Sequence, residues 1–595
     1  MRVFFWKKDK KQRQNSNQFI IPFNNLEEQR SHYGQTQSAI AQLPEDKTGD
    51  IKQKQQQYRD TRKENTDNPW WRDTSACNLW TAAFFTPLTE QKLQLLPTSS
   101  ALFQLLQGNP TTQKIVDAAN KLAKEKRFFH WALEFPEVFE NGGFSCVLGN
   151  PPWERIKLQE KEFFATKDSA IANAKNKAAR TKLINKLAAT NPQLLAEFED
   201  AKHDADATSK FLRESNRCPL TSRGDINTYS VFAETTRNLI SPTGRVGIIV
   251  PTGIATDDTC KNFFGDLTQK RNLASLYDFE NREKLFAAVD SRMKFSLLGM
   301  SNKPIQQANF SFFLTQPKQI ENEARVFQLS PQDIALINPN TLTCPVFRSR
   351  TDAELTKKIY QRVPVLENEK IDSNPWGISF MRMFDMSNDS GLFHSSPLLG
   401  GTEGGLLPLY EAKMFHQFDH RWATYTEDGS TRDLTDEEKS DFNFKPKPRY
   451  WLDKQEVENK LANKWNKNWL LGWRDVTNST NERTVISTVF PAFGCNDKFL
   501  LMLPSVSNDL LITCLLSNLN SISFDFVVRQ KVGGTALKYF TMRQLPVIPP
   551  KTYTEEDIKF ISDRVLELVY TAWDMQPFAK DMGYEDEPFI WDEQR

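Results

Sequence analysis

The sequence predicts an α/β fold followed by a mixed α+β domain, on three observations. Short apolar runs at 144–148, 245–250, 273–278 and 294–300 read as strands, bounded by turn signals and separated by helical patterns. Strand alternating with helix is the pattern of a parallel α/β sheet. Beyond about residue 320 the pattern gives way to irregular stretches rich in Pro, Gly and aromatics, including Pro375-Trp376-Gly377, the glycine-rich 400–405 and Tyr450-Trp451. With 595 residues the chain is too long for one hydrophobic core.

The elements follow in order. Residues 1–66 form a polar arm rich in Gln, Lys, Asn and Asp, around Gln53-Lys54-Gln55-Gln56-Gln57, and read as a solvated helix or a disordered segment. The first domain spans 67–320. Leu79 to Phe85 and Thr112 to Arg127 read as packed helices. Asn141-Gly142-Gly143 is a turn signal leading into Phe144–Leu148, which reads as a buried strand. Residues 158–217, with no Gly and one Pro at Pro192, read as a helical insertion. Asp225–Tyr229 opens another helix, stopped at Ser241-Pro242-Thr243-Gly244. Arg245–Val250 is then a second buried strand, followed by a helix around Lys261–Leu267. A second domain spans 321–550. Residues 551–595 hold an amphipathic helix from Thr554 to about Trp573 and an acidic end.

Composition narrows the function. Lys and Arg total 76 against 75 Asp and Glu, a net charge of +1, so a nucleic-acid surface has to be a local patch. The seven cysteines form no CxxC pair and no Cys/His cluster at zinc-ligand spacing, so no metal site is expected, and they read as small buried residues in a reducing cytoplasm, an expectation that Cys146 overturns below. No run reaches the roughly 20 apolar residues of a spanning helix, so no membrane association is expected.

The chemistry concentrates in Asn150-Pro151-Pro152-Trp153, at the C-terminal end of the first strand, where open α/β sheets bind ligands. This tetrapeptide resembles the catalytic loop of adenine-specific, amino-methylating DNA methyltransferases. The resemblance implies a target, the exocyclic nitrogen of adenine, that is a poor nucleophile because its lone pair is delocalised into the ring. Two carbonyl acceptors, the Asn150 side chain and the Pro151 main chain, would take its hydrogens and free the lone pair. The prolines would stiffen the loop, and Trp153 would offer a ring on which a flipped base stacks. The segments Gly224–Tyr229, Gly244–Pro251, Tyr277–Asn281 and Val289–Phe295 resemble the same family, so that the likeness covers roughly 128–550. It is nearest to the large methylases of restriction-modification and phage-defence systems. With the recognition region after the catalytic loop, the order is that of the gamma class.

The resemblance implies a partial Rossmann-like methyltransferase sheet with a helical insertion, a target-recognition domain, S-adenosylmethionine as methyl donor and double-stranded DNA as partner. Asn150, Pro151, Pro152 and Trp153 are the implied catalytic residues. Lys445, Lys447 and Arg449 form a basic-aromatic cluster suited to DNA backbone contacts. Arg529 and Lys531, ahead of Gly533-Gly534, resemble a recognition-domain segment and are assigned to DNA as well. The Gly-rich Asp-Pro-x-x-Gly-Ser-Gly turn that cradles the donor in such enzymes is missing before Asn150. Its cofactor-binding residues are therefore unassigned. Two readings remain open: a methylase completed by a separate subunit or working with a restriction or defence partner, and a non-catalytic DNA-binding specificity subunit or split fragment. Glu411-Ala412-Lys413, with Asp385 or Asp389 upstream, matches a short nuclease-like pattern, for which no magnesium-dependent cleavage is expected.

Overall fold

The structure, a computed structural model, describes residues 26–590 except 66, 109–112, 397–404 and 533. The start of the polar arm, most of the glycine-rich 400–405, Gly533 and the last five residues lie outside the described residues. The chain divides into two compact units. The first runs to Ile254 and adds Asp266–Leu276 and Lys294–Ala308; the second holds Ala255–Gly265, Tyr277–Met293 and everything from Asn309.

The first unit opens on helices. The described part of the polar arm folds as α1 (Leu26–Ala41) and α2 (Thr48–Thr61), the latter with no buried residue, as its composition suggests. α3 (Pro69–Phe85) starts where Asn68 accepts a hydrogen bond from the Trp70 amide at 3.0 Å and Pro69 fills the first helical position. Its apolar face, with Leu79 and Ala82, packs with Val116 and Ala119 of α4 (Gln113–Lys126). Gly142 and Gly143 both take positive φ, and a side chain on Gly143 would meet the Leu239 carbonyl at 2.6 Å. They deliver the chain into β1 (Phe144–Gly149).

After β1, helices fill the 158–217 stretch, chiefly α5 (Lys177–Thr190) and α6 (Pro192–Glu214). Pro192 divides them: it sits at the first position of α6, and Asn191 caps that helix through the Leu194 amide at 3.1 Å. α7 (Thr228–Leu239) leads directly into β2 (Ile240–Pro251). Here the expectation is corrected, because Ser241–Gly244 lies inside β2 and is not a turn. The segment is tolerated because the register of β1 on β2 shifts between Phe144 and Cys146, and because Gly244 faces the Phe144 carbonyl, 2.6 Å from where a Cβ would stand.

β3 (Leu273–Glu280) and β4 (Lys294–Ser301) complete the strand order β1-β2-β4-β3. β1 and β2 are parallel, but β4 runs antiparallel to β2, so the sheet is mixed and not parallel throughout. Between β3 and β4 there is one 3-10 turn (Asn281–Glu283) and no crossover helix of the kind that keeps successive neighbours parallel. Arg237 of α7 ties the layers together: it pairs with Asp266 at 2.6 Å and donates to the Asn272 side chain at 2.8 Å, which in turn donates to the Ser301 carbonyl. The expectation that β1 is buried is also corrected. β1 ends the strand order, only Phe144 and Val147 are even half-buried, Leu148 is 79% exposed, and Cys146, expected to be buried like the other cysteines, is exposed too. An apolar run alone does not say which strand lies outermost.

In the second unit β5 (Ala308–Leu314) neighbours β6 (Phe327–Leu329). Beyond them the short strands β7 (Ser379–Met381), β8 (Leu406–Tyr410), β9 (Ala423–Tyr425), β10 (Thr431–Asp433) and β11 (Tyr450–Asp453) are joined by β12 (Trp469–Arg474), β13 (Ser487–Pro491), β14 (Gly494–Cys495) and β15 (Phe499–Leu503). They form a four-stranded sheet β13-β12-β15-β7, a three-stranded sheet β11-β8-β14 and the ribbon β9-β10. Phe384, Tyr410, Phe415, Phe490 and Phe499 fill the core. Among the described residues no single helix is long and apolar enough to cross a membrane.

Candidate functional site

The Asn150–Trp153 loop leaves the C-terminal end of β1 and is fastened to the start of α7. The Thr228 hydroxyl donates to the Pro152 carbonyl at 2.6 Å and accepts from the Glu154 amide at 2.9 Å. The Thr228 amide donates to the Glu154 carbonyl at 2.9 Å, and the Ile156 amide to the Ile226 carbonyl at 3.2 Å, so Arg155 and Asn227 form a bridge. Two segments that look unrelated along the chain, 150–153 and 224–229, therefore make one unit. The Trp153 indole donates to the Ile249 carbonyl of β2 at 3.4 Å, leaving the ring half-buried.

Asn150 remains. It is exposed and forms no hydrogen bond among the described residues. The Pro152 carbonyl is occupied, whereas the Pro151 carbonyl accepts nothing from a described backbone amide. The loop thus holds two acceptors at consecutive residues, two positions before an indole anchored on the neighbouring strand. That is the arrangement needed to accept both hydrogens of a planar amine.

Sequence reasoning missed Thr228, the hub of the loop; its only signal was a place inside a recognised segment. It also missed a cleft of about 450 Å³ beside the loop whose walls carry both charges, Arg155, Lys157, Lys161, Lys177 and Arg180 with Glu160, Glu162 and Asp225.

A donor cradle of the strand-to-helix kind does not fit the residues present. Among the described residues no strand precedes β1, and Leu26 to Glu140 is helix and loop. The strand-to-helix turn after β2, Pro251-Thr252-Gly253, has a single glycine.

In the second unit the resembling segment Tyr277–Asn281 is organised by Asn281, fully buried. Its amide group donates to the carbonyls of Phe286 and Val289, both at 3.0 Å, and its Oδ1 accepts from the Phe286 amide at 3.0 Å. One side chain thereby shapes the whole 282–293 loop.

The five cations assigned to DNA separate into two groups. Lys445, Lys447 and Arg449 are exposed and alternate with buried Pro446 and Pro448. Lys447 is held by its main chain alone, its amide donating to Thr424 Oγ1 at 2.9 Å and its carbonyl accepting from the Tyr425 amide at 3.0 Å. Arg449 rests over the Tyr450 ring, 5.1 Å from its centre. Arg529, at the end of the helix Ile522–Arg529, pairs with buried Asp525 at 2.8 Å and donates to the carbonyls of Ser479 and Glu482. Lys531 turns its ammonium inward to the carbonyls of Ile337 (2.7 Å) and Gln544, and burial pushes its pKa well below the lysine range. These last two hold the domain together. Lys531→Ala is expected to cost about 1–3 kcal/mol, since two carbonyls lose their donor. Thermal unfolding reads that loss, and DNA affinity of the folded variant should stay within about threefold of wild type. A large fall in affinity with unchanged melting would reverse the assignment.

Of the nuclease-like residues, Glu411 accepts from the Tyr425 hydroxyl and Lys413 lies over the same ring at 4.5 Å, while Asp385 accepts the amides of Ser387 and Asn388. Glu411 and Lys413 are thus both engaged by Tyr425, and Asp385 by its own turn.

A search of curated proteins finds no match. Among solved structures, the chain is similar to the type IIG restriction endonuclease BpuSI, at 13% identity over 86% of this chain and 64% of that one, with a TM-score of 0.27. It is similar to the type IIL restriction-modification enzyme MmeI in complex with DNA, at 11% identity over 76% and 55%, TM-score 0.36. A type I methyltransferase subunit from Streptococcus thermophilus is matched at 10% identity over 55% of this chain and 94% of that one, TM-score 0.19. The chain thus spans less than two thirds of the length of BpuSI and MmeI. The family model described as Eco57I restriction-modification methylase matches residues 73–186, the Asn150–Trp153 loop among them.

Proposed function

We propose that this chain provides the base pocket and the target-recognition region of a site-specific DNA adenine methyltransferase, within a restriction-modification or phage-defence system in the cytoplasm. The observation that carries the proposal is the pair of free acceptors at Asn150 and Pro151, on a loop pinned by Thr228 at the end of β1. The target adenine leaves the duplex, stacks against Trp153 and gives its two amino hydrogens to the Asn150 side chain and the Pro151 carbonyl. Its nitrogen is then ready for a methyl group. The donor implied by the family resemblance, S-adenosylmethionine, is held by residues other than those described here, and DNA is held by the exposed cations.

Thr228 is a positioning residue in this scheme. Thr228→Val removes the hydroxyl that holds Pro152 and Glu154, and is expected to lower kcat about 10-fold or more with little change in KM for DNA, since loop misplacement acts on the reacting geometry. Thr228→Ser should restore most of the rate. A Ser variant as poor as Val would mean that Thr228 acts by packing alone.

A second reading, a non-catalytic DNA-binding specificity subunit, is favoured by one observation: no donor cradle fits the described residues. Stoichiometric binding of S-adenosylmethionine by the chain in titration calorimetry would eliminate this non-catalytic reading.

A further inference from the structure

The helical insertion buries a charge where its own pattern calls for an apolar residue. α5 turns three residues inward, Arg180, Ile184 and Leu187, at the spacing of one helix face. Ile184 and Leu187 join Phe164, Ile171, Leu194 and Phe198 in the core of the insertion. Arg180 carries the same stripe toward the start of the helix and is only 6% exposed. Its Nε has no hydrogen-bond partner, and its one ion pair among the described residues, from Nη1 to Glu160, is 3.6 Å long. That is beyond hydrogen-bond length. A guanidinium brings five donors, and burying them unmatched is destabilising.

Arg180 lines the cleft beside the Asn150–Trp153 loop, and two further features converge there. The first is the positive end of α5. Asn176 caps the helix by accepting from the Ala179 amide at 2.8 Å, while the Lys177 and Ala178 amides donate to nothing among the described residues. The second is Lys177 itself, exposed in the cleft wall at the first helical position, one turn before Arg180. A cation there opposes the helix dipole, whereas an anion is stabilised by it. The carboxylates of the cleft do not cancel this charge: Glu160 faces Arg180, leaving Glu162 and Asp225 to balance Arg155, Lys157, Lys161 and Lys177. Arg155, which bridges Asn227 ahead of α7, lines the cleft two residues after Trp153, at most about 7 Å of chain. A phosphate beside a base stacked on Trp153 lies within that reach.

We propose that Arg180, Lys177 and the first turn of α5 hold a backbone phosphate beside the target base, on the strand from which that base is flipped. The planar fork of Arg180 suits two oxygens of one phosphate, and the Lys177 ammonium and the free amides suit the rest. A phosphate held there keeps the strand splayed, as extrusion of a base requires. The strand and base named here rest on the methyltransferase reading above; the anion site rests on the cleft.

The probe is a fluorescent single strand with one adenine among thymines, titrated by anisotropy into the full-length chain. Arg180→Met, which keeps an apolar stem and removes the charge, should weaken binding about 10-fold or more, the worth of charge-assisted hydrogen bonds. Lys177→Gln, at an exposed position, should weaken it about threefold. Each should flatten the slope of log K against log salt by about 0.7, one phosphate contact on a single strand. Replacing a phosphate beside the adenine by a neutral methylphosphonate should weaken the wild type as much as Arg180→Met does. It should leave Arg180→Met itself unchanged, since the two partners of one contact are not lost twice. Without DNA, Arg180→Met should melt no lower than wild type, because the guanidinium has no hydrogen bond among the described residues to lose. Unchanged affinity in both variants, a methylphosphonate effect that persists in Arg180→Met, or a lower melting of Arg180→Met would each overturn the proposal. So would inorganic phosphate that stabilises the wild type and not Arg180→Met while the methylphosphonate strands bind normally, since a free anion would then be the occupant. Binding that needs the adenine but neither Arg180 nor the phosphate would refute the site and leave the methyltransferase reading standing; a phosphate contact at Arg180 that is indifferent to an abasic residue in place of the adenine would do the reverse.

Discussion

Asn150→Ala should lower methyl transfer to DNA about 10²–10³-fold, the loss typical of deleting one preorganised group that stabilises developing charge. The substitution takes away an acceptor that nothing else in the loop replaces, because the Pro152 carbonyl is already bound to Thr228 and the Pro151 carbonyl has its own hydrogen to accept. The fold has little stake in this side chain. Asn150 is exposed and unbonded among the described residues, so melting and DNA affinity should stay close to wild type. Asn150→Asp keeps an acceptor oxygen and should lose less than Ala does. The assay is incorporation of labelled methyl groups into duplex DNA, by a preparation that binds the donor, with single-turnover rates to exclude product release. Incorporation by Asn150→Ala within about threefold of wild type would remove the loop from the chemistry.

The candidate loop was legible in the sequence because it is local: four consecutive residues at the end of an apolar run. Helices were legible for a similar reason. Leu79–Phe85 falls inside α3, and 158–217 holds α5 and α6, while the starts that Asn68-Pro69 and Asn191-Pro192 mark went unread. What the sequence withheld depends on partners distant along the chain. Lys447 and Lys531 are equally basic in sequence, yet one projects between two buried prolines and the other turns to the carbonyls of Ile337 and Gln544. Thr228 lies about 75 residues from the loop it holds. The apolar run 144–148 says that a strand forms but not that it lies at an edge, and the antiparallel direction of β4 follows from a connection, not from residues within the strand.

Replacing Lys445, Lys447 and Arg449 together by Gln should lower DNA affinity by two to three orders of magnitude at about 0.1 M salt, and hardly at all near 1 M. Alternate residues of an extended chain lie about 7 Å apart on one side. Buried Pro446 and Pro448 keep the chain extended between the three exposed cations. Each phosphate neutralised releases condensed counterions and contributes about 0.9 to the slope of log K against log salt, so the triple variant should flatten that slope by about 2.7. The loss should be equal on cognate and unrelated sequences, because backbone contacts position a duplex without reading it. Arg529→Gln is the contrasting control: its guanidinium is committed to Asp525, Ser479 and Glu482, so its loss should appear in melting and leave the slope unchanged. Fluorescence anisotropy over a salt series distinguishes these outcomes. An unchanged slope in the triple variant would mean that the segment does not touch DNA, and a slope changed on the cognate site alone would mean that these cations read bases.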